Sequence, residues 1–277
     1  MQRLITVQDI SCIGKCSCTA ALPIISSYGI ETLILPTALL SSHTDGFGEN
    51  TFLDLTDEMK KIISHWRTLG LCPDGIYTGY LGSREQVSVV SDFIREFRTD
   101  KTTVIVDPVM GDGGRYYKYF GDGYLADMKK LCSQADIVTP NMTEACLLVD
   151  ENYSPDCATK KLSRIFYKLH ALGAKNAVVT GIHFGDDEIG YAFSDGKSIR
   201  TLKEPLHKNV RFAGTGDVFS SVLASETLCG KPFFDAVARA AEFTERCIDL
   251  TDDKTKSFYY GLSFEKVLER NKNEAKL

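Results

Sequence analysis

The segment Arg211-Phe212-Ala213-Gly214-Thr215-Gly216-Asp217-Val218-Phe219 joins a flexible turn to an acidic residue at the head of an apolar run. Val218, Phe219, Val222 and Leu223 recur at helical spacing, which predicts a helix starting near Asp217. Gly214 and Gly216 let the backbone turn sharply and come close to a ligand. The free N–H groups at the helix start then point at one spot and favour negative charge there. Asp217 adds a proton acceptor beside that anion site. Amides that hold a moving phosphoryl group, next to a carboxylate that takes a hydroxyl proton, are the parts needed for phosphoryl transfer to an alcohol. Taken alone, Gly-Thr-Gly-Asp is equally an ordinary turn with Asp as helix N-cap. The rest of the chain decides between the two.

Further carboxylates fall where a nucleotide would need them. Asp107 and Asp112 lie in Asp107-Pro108-Val109-Met110-Gly111-Asp112, directly after the apolar run Thr103–Val106. Asn141 and Glu144 lie in Thr139-Pro140-Asn141-Met142-Thr143-Glu144 after Ile137–Thr139, and Thr180 closes the run Ala177–Thr180. Hard oxygen ligands at strand ends suit a magnesium-bound nucleotide, with several waters kept on the ion. Asn141 with Glu144 three residues on also reads as a helix cap, a role compatible with anion binding. Two further segments face a substrate: Ser41–Gly48, which holds His43 and Thr44, and Thr78-Gly79-Tyr80-Leu81-Gly82-Ser83. Tyr80, between glycines, is free to stack on a flat ring. His43 reads as a hydrogen-bonding loop residue rather than a base.

Two familiar phosphate motifs are excluded. Gly14-Lys15-Cys16-Ser17 would be a P-loop only with glycine at position 9, where Asp9 stands. No Gly-x-Gly-x-x-Gly follows the first strand, so a dehydrogenase has no support. Cys12, Cys16 and Cys18 lack a second ligand pair at finger-like spacing, and we read them as ordinary thiols rather than a zinc site. Nine cysteines, an odd number, suit free thiols in a reducing compartment.

These residues need a scaffold that brings strand ends together. Strand-like runs at Leu4–Val7, Thr32–Pro36, Gly75–Thr78, Thr103–Val106, Ile137–Thr139 and Ala177–Thr180 alternate with helical patterns at Glu85–Phe97, Leu125–Ser133, Ala158–Leu172 and Ala236–Ile248. That alternation predicts an α/β fold, a mostly parallel central sheet with helices on both faces and ligands beyond the carboxyl ends of the strands. Glu188–Leu206 reads as a hairpin turning at Asp195-Gly196, and the polar tail from Glu269 is expected to fray. No linker or repeat divides residues 1–277, which we read as a single domain. A formal net charge of -5 and a pI near 5.6 argue against a nucleic-acid partner. The chain shows no signal peptide or membrane-spanning run, and the expectation is a cytoplasmic protein.

In combination and in order, the Gly-Thr-Gly-Asp turn, Asp-Pro-Val-Met-Gly-Asp and Thr-Pro-Asn-x-x-Glu resemble the ribokinase superfamily of small-molecule kinases. Gln8-Asp9-Ile10-Ser11-Cys12-Ile13-Gly14, Ser42-His43-Thr44 and Thr78–Ser83 are similar to its pyridoxal kinase branch. The resemblance runs from about residue 4 to about residue 250. It implies a ribokinase-like fold and ATP-dependent phosphorylation of the hydroxymethyl group of pyridoxal, pyridoxamine or pyridoxine. Asp217 is then the general base, and Gly214, Thr215 and Gly216 form the anion hole. Asp107, Asp112, Asn141, Glu144 and Thr180 hold nucleotide phosphates and Mg2+, with Asp107 and Glu144 on the metal. Asp9, Thr44 and Tyr80 contact the ring. A monovalent cation and a homodimer belong to the same expectation. One residue departs from the pattern: the family usually has serine where Asp9 stands. A serine hydroxyl donates or accepts, whereas an ionised carboxylate only accepts, so the ring system is open. A kinase of the same fold acting on hydroxymethylpyrimidine, or a non-catalytic B6 or nucleotide binder, are the alternatives. The glycine-flanked stretch Gly113–Gly121 is expected to form a mobile lid over the phosphates.

Overall fold

The computed structural model describes residues 1–117, 121–154, 159–207, 212–251 and 257–274. Arg211 of the glycine turn, residues 118–120 of the expected lid and Ala158 lie outside the described residues. The strands are β1 (Arg3–Ser11), β2 (Glu31–Leu40), β3 (Phe52–Asp54), β4 (Gly75–Thr78), β5 (Thr103–Val106), β6 (Gly111–Asp112), β7 (Arg115–Tyr116), β8 (Ile137–Val138), β9 (Asn176–His183), β10 (Glu188–Ser194) and β11 (Ile199–Pro205). The helices are α1 (Cys18–Ser27), α2 (Thr56–Thr68), α3 (Arg84–Phe97), α4 (Tyr124–Cys132), α5 (Met142–Leu148), α6 (Thr159–Leu172), α7 (Thr215–Leu228), α8 (Phe233–Asp249) and α9 (Phe264–Glu274). A 3-10 turn covers Ser257–Tyr260.

The main sheet has nine strands in the order β11-β10-β9-β8-β5-β4-β1-β2-β3, parallel from β9 to β2 and antiparallel at both ends. This is the α/β architecture expected of a ribokinase-like chain. Side chains alternate between two cores with the pleat. Ile5, Val7, Ile76, Val104 and Val106 face α2 to α6, while Leu4, Tyr77 and Ile105 face α1, α7, α8 and α9. Both sheet faces are therefore covered, which is why these strands read as unbroken apolar runs.

The chain moves outward from β1 to β2 on one side, then returns to the other side of β1 as β4. That reversal opens a crevice beyond the carboxyl ends of β1 and β4, where ligands bind in such sheets. The β1–β2 ladder slips between Gln8 and Ile10, so Asp9 sits at an irregularity on the edge of this crevice.

Some elements depart from the sequence reading. The segment Cys18–Ser27 is helical despite Pro23 inside it, a residue that hides a helix in any propensity argument. The tail does not fray at Glu269. Helix α9 runs to Glu274, anchored by buried Phe264 and Val267. Lys15 fixes its start, donating to Glu265 at 2.8 Å and to the Leu262 carbonyl at 3.1 Å. The expected hairpin is present as β10 and β11, with the Asp195 carboxylate accepting from the Lys197 and Ser198 amides at 2.9 Å each.

Candidate active site

Helix α7 begins at Thr215, two residues before Asp217, with Gly214 as its N-cap in the left-handed region (φ 76°). A Cβ on Gly214 would lie 2.3 Å from the Lys15 carbonyl oxygen. That peptide is tied in place by its own N–H, which donates to the Tyr260 carbonyl at 2.8 Å. Glycine at 214 is thus demanded by both conformation and packing. Gly216 differs: a Cβ there would meet only Asp107 Oδ2, at 3.8 Å, an ordinary contact. Neither backbone nor packing requires glycine at 216, and its missing side chain leaves the helix start open to close approach. No side chain caps α7, so its first-turn amides keep their donors for an anion.

Asp217 sits half-buried in that first turn. Burial is the main force on it, and it outweighs the lowering effect of the nearby Ser17 main-chain amide. With the nearby charge of Asp9 it pushes the carboxyl up to about 7. A general base is most effective near the working pH. Asp107, at the end of β5, accepts from Ser220 Oγ at 3.3 Å. Burial, then the charges of Glu144 and Asp217, hold it well above the usual carboxylate range. Glu144 rises to about 8 through burial, against hydrogen bonds from the Met110, Asn141 and Gly111 amides and with Asp112's charge adding to the rise.

The nucleotide-side residues form a brace. Asn141 caps α5 by accepting from the Glu144 amide at 3.0 Å, and Glu144 Oε2 accepts from the Asn141 amide at 2.8 Å. Glu144 Oε1 accepts from Met110 N–H at 3.0 Å, and Asn141 Nδ2 donates to the Gly111 carbonyl at 2.8 Å. The Thr180 amide donates to Pro140 at 3.0 Å, which places Thr180 against Asn141. The capping and ligand-facing readings of this motif therefore coexist. Asp112 stands exposed on the β6–β7 hairpin, its Oδ1 accepting from Gly113 N–H at 2.8 Å. No three of these carboxylates bring donor atoms within 4.8 Å of one another, among the described residues; the trio that does is His207, Glu245 and Asp249, outside this group. The donor set suits a hard divalent ion that keeps waters and phosphate oxygens as its remaining ligands. A cation there would also offset the burial, and the smaller repulsion, that raise Asp107 and Glu144.

A stability prediction follows from the signs. Asp9, Asp107, Glu144 and Asp217 all bind protons more tightly folded than unfolded. Their contribution is full below the ordinary carboxylate range and is lost as pH rises through the folded values, up to about 8 for Glu144. The melting temperature measured without metal or nucleotide is expected to fall between about pH 5 and pH 8, and Asp107→Asn to flatten that fall. A profile that rises over this window would contradict the assignment.

At the β1 exit, Asp9 is buried and accepts from Ser11 Oγ at 2.9 Å. Burial raises its carboxyl despite the lowering effect of the neighbouring serines. Tyr80 is half-buried after β4, with its carbonyl held by Thr37 Oγ1 at 3.0 Å. Thr44 is exposed on the loop after β2. Both flank the β1 exit rather than join the carboxylate group. His43 Nδ1 accepts the Asp45 amide at 3.1 Å, so the ring proton is on Nε2, which donates to the Tyr259 carbonyl at 2.6 Å. With both nitrogens committed, His43 is a loop anchor and not a base. Cys16 and Cys18 are buried beside Asp9 and Asp217, and burial followed by those charges pushes both thiols upward, which keeps them protonated.

Ser11 and Ser220 escaped the sequence reading. Small hydroxyls carry no spacing signal. The stretch after Asp112 is a tight hairpin with positive φ at Gly113 and Gly114, and the Gly114 amide donates to Thr143 Oγ1 at 2.9 Å. Its turn is therefore tied to α5.

A doubly covered parallel sheet with a strand-order reversal defines a ribokinase-like fold. The chain belongs to the phosphomethylpyrimidine kinase family, whose model matches residues 20–260. A solved candidate phosphomethylpyrimidine kinase of Bacteroides thetaiotaomicron is 35% identical with a TM-score of 0.91, covering 98% of this chain and 94% of that one. A second crystal form of it, with pyridoxal, gives 36% and 0.89 over 97% and 95%. Pyridoxal kinase from Lactobacillus plantarum is 29% identical with a TM-score of 0.89 over 98% and 96%. The thiamine biosynthesis bifunctional protein ThiED of Geobacter sulfurreducens is 30% identical over 232 residues, 82% of this chain and 44% of that protein. The chain spans 44% to 64% of the length of the curated relatives it matches.

Proposed function

We propose that this chain transfers the γ-phosphoryl group of ATP to the hydroxymethyl group of a B6 vitamer: pyridoxal, pyridoxamine or pyridoxine. The observation that carries the reading is the pair Asp217 and Asp9: one carboxylate in the first turn of an uncapped helix start, the other a buried acceptor at the β1 exit that holds Ser11 Oγ at 2.9 Å. The Bacteroides relative crystallised with pyridoxal supports the ring assignment.

In this mechanism the substrate ring lies between Asp9 and Tyr80, with Thr44 at its edge. Its hydroxymethyl oxygen points at Asp217, which accepts the proton as the oxygen attacks. The amides of α7's first turn hold the oxygens of the transferred group and need no reorganisation as charge develops. Asp107, Asp112, Asn141, Glu144 and Thr180 face the nucleotide phosphates, and Mg2+ bound there by Asp107 and Glu144 through water would neutralise phosphate charge.

A second reading has its own support. The matching family is that of phosphomethylpyrimidine kinase, and a Staphylococcus aureus relative, 26% identical over 189 residues, is a hydroxymethylpyrimidine/phosphomethylpyrimidine kinase; an exocyclic amine on a pyrimidine would donate to an acceptor-only carboxylate at Asp9. Nucleotide consumption measured separately with pyridoxal, pyridoxamine, pyridoxine and hydroxymethylpyrimidine distinguishes the two. Asp9→Ser is expected to reorder the kcat/KM ranking among these rings, lowering most those that present an amine or protonated nitrogen. An unchanged ranking would mean that Asp9 does not touch the ring.

A further inference from the structure

The segment between β4 and α3 carries Tyr80 and has no regular structure of its own, yet four of its main-chain groups are held by four different elements. Gly79 N–H donates to the Val7 carbonyl of β1 at 3.0 Å. The Tyr80 carbonyl accepts from Thr37 Oγ1 of β2 at 3.0 Å, and the Leu81 carbonyl from Tyr124 Oη of α4 at 2.7 Å. Gly82 N–H donates to Gln86 Oε1 of α3 at 2.7 Å. The side chains of this set, Thr37, Gln86 and Tyr124, come from buried residues, where a hydrogen bond is electrostatically stronger than in water.

Gln86 is the hub. Ser83-Arg84-Glu85-Gln86 is a capping-box sequence, in which the fourth residue ordinarily reaches back to the amide of the cap itself. Ser83 does cap α3, accepting from the Gln86 amide at 3.2 Å. Gln86 Oε1 reaches one residue further, to Gly82. Its Nε2 donates to the Thr37 carbonyl at 2.8 Å, with Thr56 Oγ1 at 3.0 Å and Asp54 Oδ2 at 3.2 Å also within reach. One buried amide thus ties Gly82 to Thr37, whose hydroxyl holds the Tyr80 carbonyl. The phenol ring rests at the same place: a Cβ on Gly82 would lie 3.5 Å from Tyr80 Oη and 3.6 Å from Cε1. Glycines at 79 and 82 would otherwise leave the segment many shapes. The bonds from Gln86 and Thr37 select one of them, and with it the plane of the Tyr80 ring.

We propose, on the kinase reading above, that Gln86 is a positioning residue for the substrate: through Gly82 and Thr37 it sets the plane of the Tyr80 ring on which the heterocycle stacks. The nucleotide-side residues follow β5, β8 and β9 instead, so the effect of Gln86 and Thr37 falls on the ring substrate and not on ATP.

Thr37→Val removes the hydroxyl that holds the Tyr80 carbonyl, and Gln86→Met removes the hub at similar length. Each is expected to raise KM for the ring substrate about three- to tenfold, the range of one neutral hydrogen bond, with KM for ATP unchanged. In a Tyr80→Ala background the same substitutions are expected to add less than about twofold, because the side chain they served is gone. A merely structural role would lower the melting temperature without that split. Should Gln86→Met fail to fold, Thr37→Val carries the test. Unchanged ring KM in Thr37→Val, an equal rise in the Tyr80→Ala background, or a parallel rise in KM for ATP would each overturn the proposal while leaving the kinase reading intact. A wild-type protein with no turnover on any of the rings would overturn the kinase reading, and this proposal with it.

Discussion

Asp217→Asn is expected to lower kcat by about 10²–10⁴-fold, the usual contribution of a general base, with KM for the ring substrate changed little. The amide side chain nearly matches the carboxylate in shape. The anion hole is main chain and survives the substitution. What is lost is the capacity to take a proton as the substrate oxygen attacks. The pH dependence supplies a separate signature. A base pushed up to about 7 by burial is deprotonated above that value, so wild-type kcat/KM rises with pH to a plateau through about 7. That limb is expected to vanish in Asp217→Asn. A mutant whose defect lies in KM, or whose pH limb persists, would assign the base elsewhere.

Gly214→Ala is the second large effect, and it acts through the backbone. A left-handed alanine costs roughly 1–2 kcal/mol, and its Cβ would meet the Lys15 carbonyl at 2.3 Å. Both chain segments must shift, and the first-turn amides of α7 shift with them. Misplacement of a reacting group by about 1 Å can cost 10²-fold in rate. The variant is expected to melt several degrees lower and to lose about 10²-fold or more in kcat, since roughly 2–4 °C accompanies each kcal/mol in a protein of this size. Gly216→Ala provides the contrast. Its Cβ meets only Asp107 Oδ2 at 3.8 Å, so the melting temperature is expected to hold while turnover falls through crowding of the transferred group. Calorimetry beside steady-state kinetics on both variants separates the two. Equal stability losses would remove the argument that Gly216 serves a ligand.

The parts of the fold legible in the chain are those where a pattern repeats. Gly75–Thr78 and Thr103–Val106 are strands at their expected bounds, because a strand covered on both faces is apolar throughout. Helix α1 was hidden by Pro23, and α9 by its polar composition, since its anchors Phe264 and Val267 are only two residues in a charged stretch. In the site, Asp107, Asn141, Glu144 and Thr180 announced themselves by closing or following apolar runs, and strand ends are where α/β sheets place ligands; Asp217 did so by heading an apolar run after a glycine turn. Ser220 could not be found this way. It donates to Asp107, distant in sequence, and local spacing does not encode that contact. Strand order was equally out of reach, as the return of β4 to the far side of β1 follows from packing of the whole sheet.

The central claim is that Asp217 acts as a base for phosphoryl transfer to a ring-bound hydroxymethyl group. The most direct test is phosphorylated product formed from pyridoxal and Mg-ATP, followed by mass spectrometry in parallel reactions of wild type and Asp217→Asn. The account predicts pyridoxal carrying one added phosphoryl group in the wild-type reaction, and product formation slowed at least 10²-fold in the mutant. Product formed at equal rates by the two proteins would contradict it.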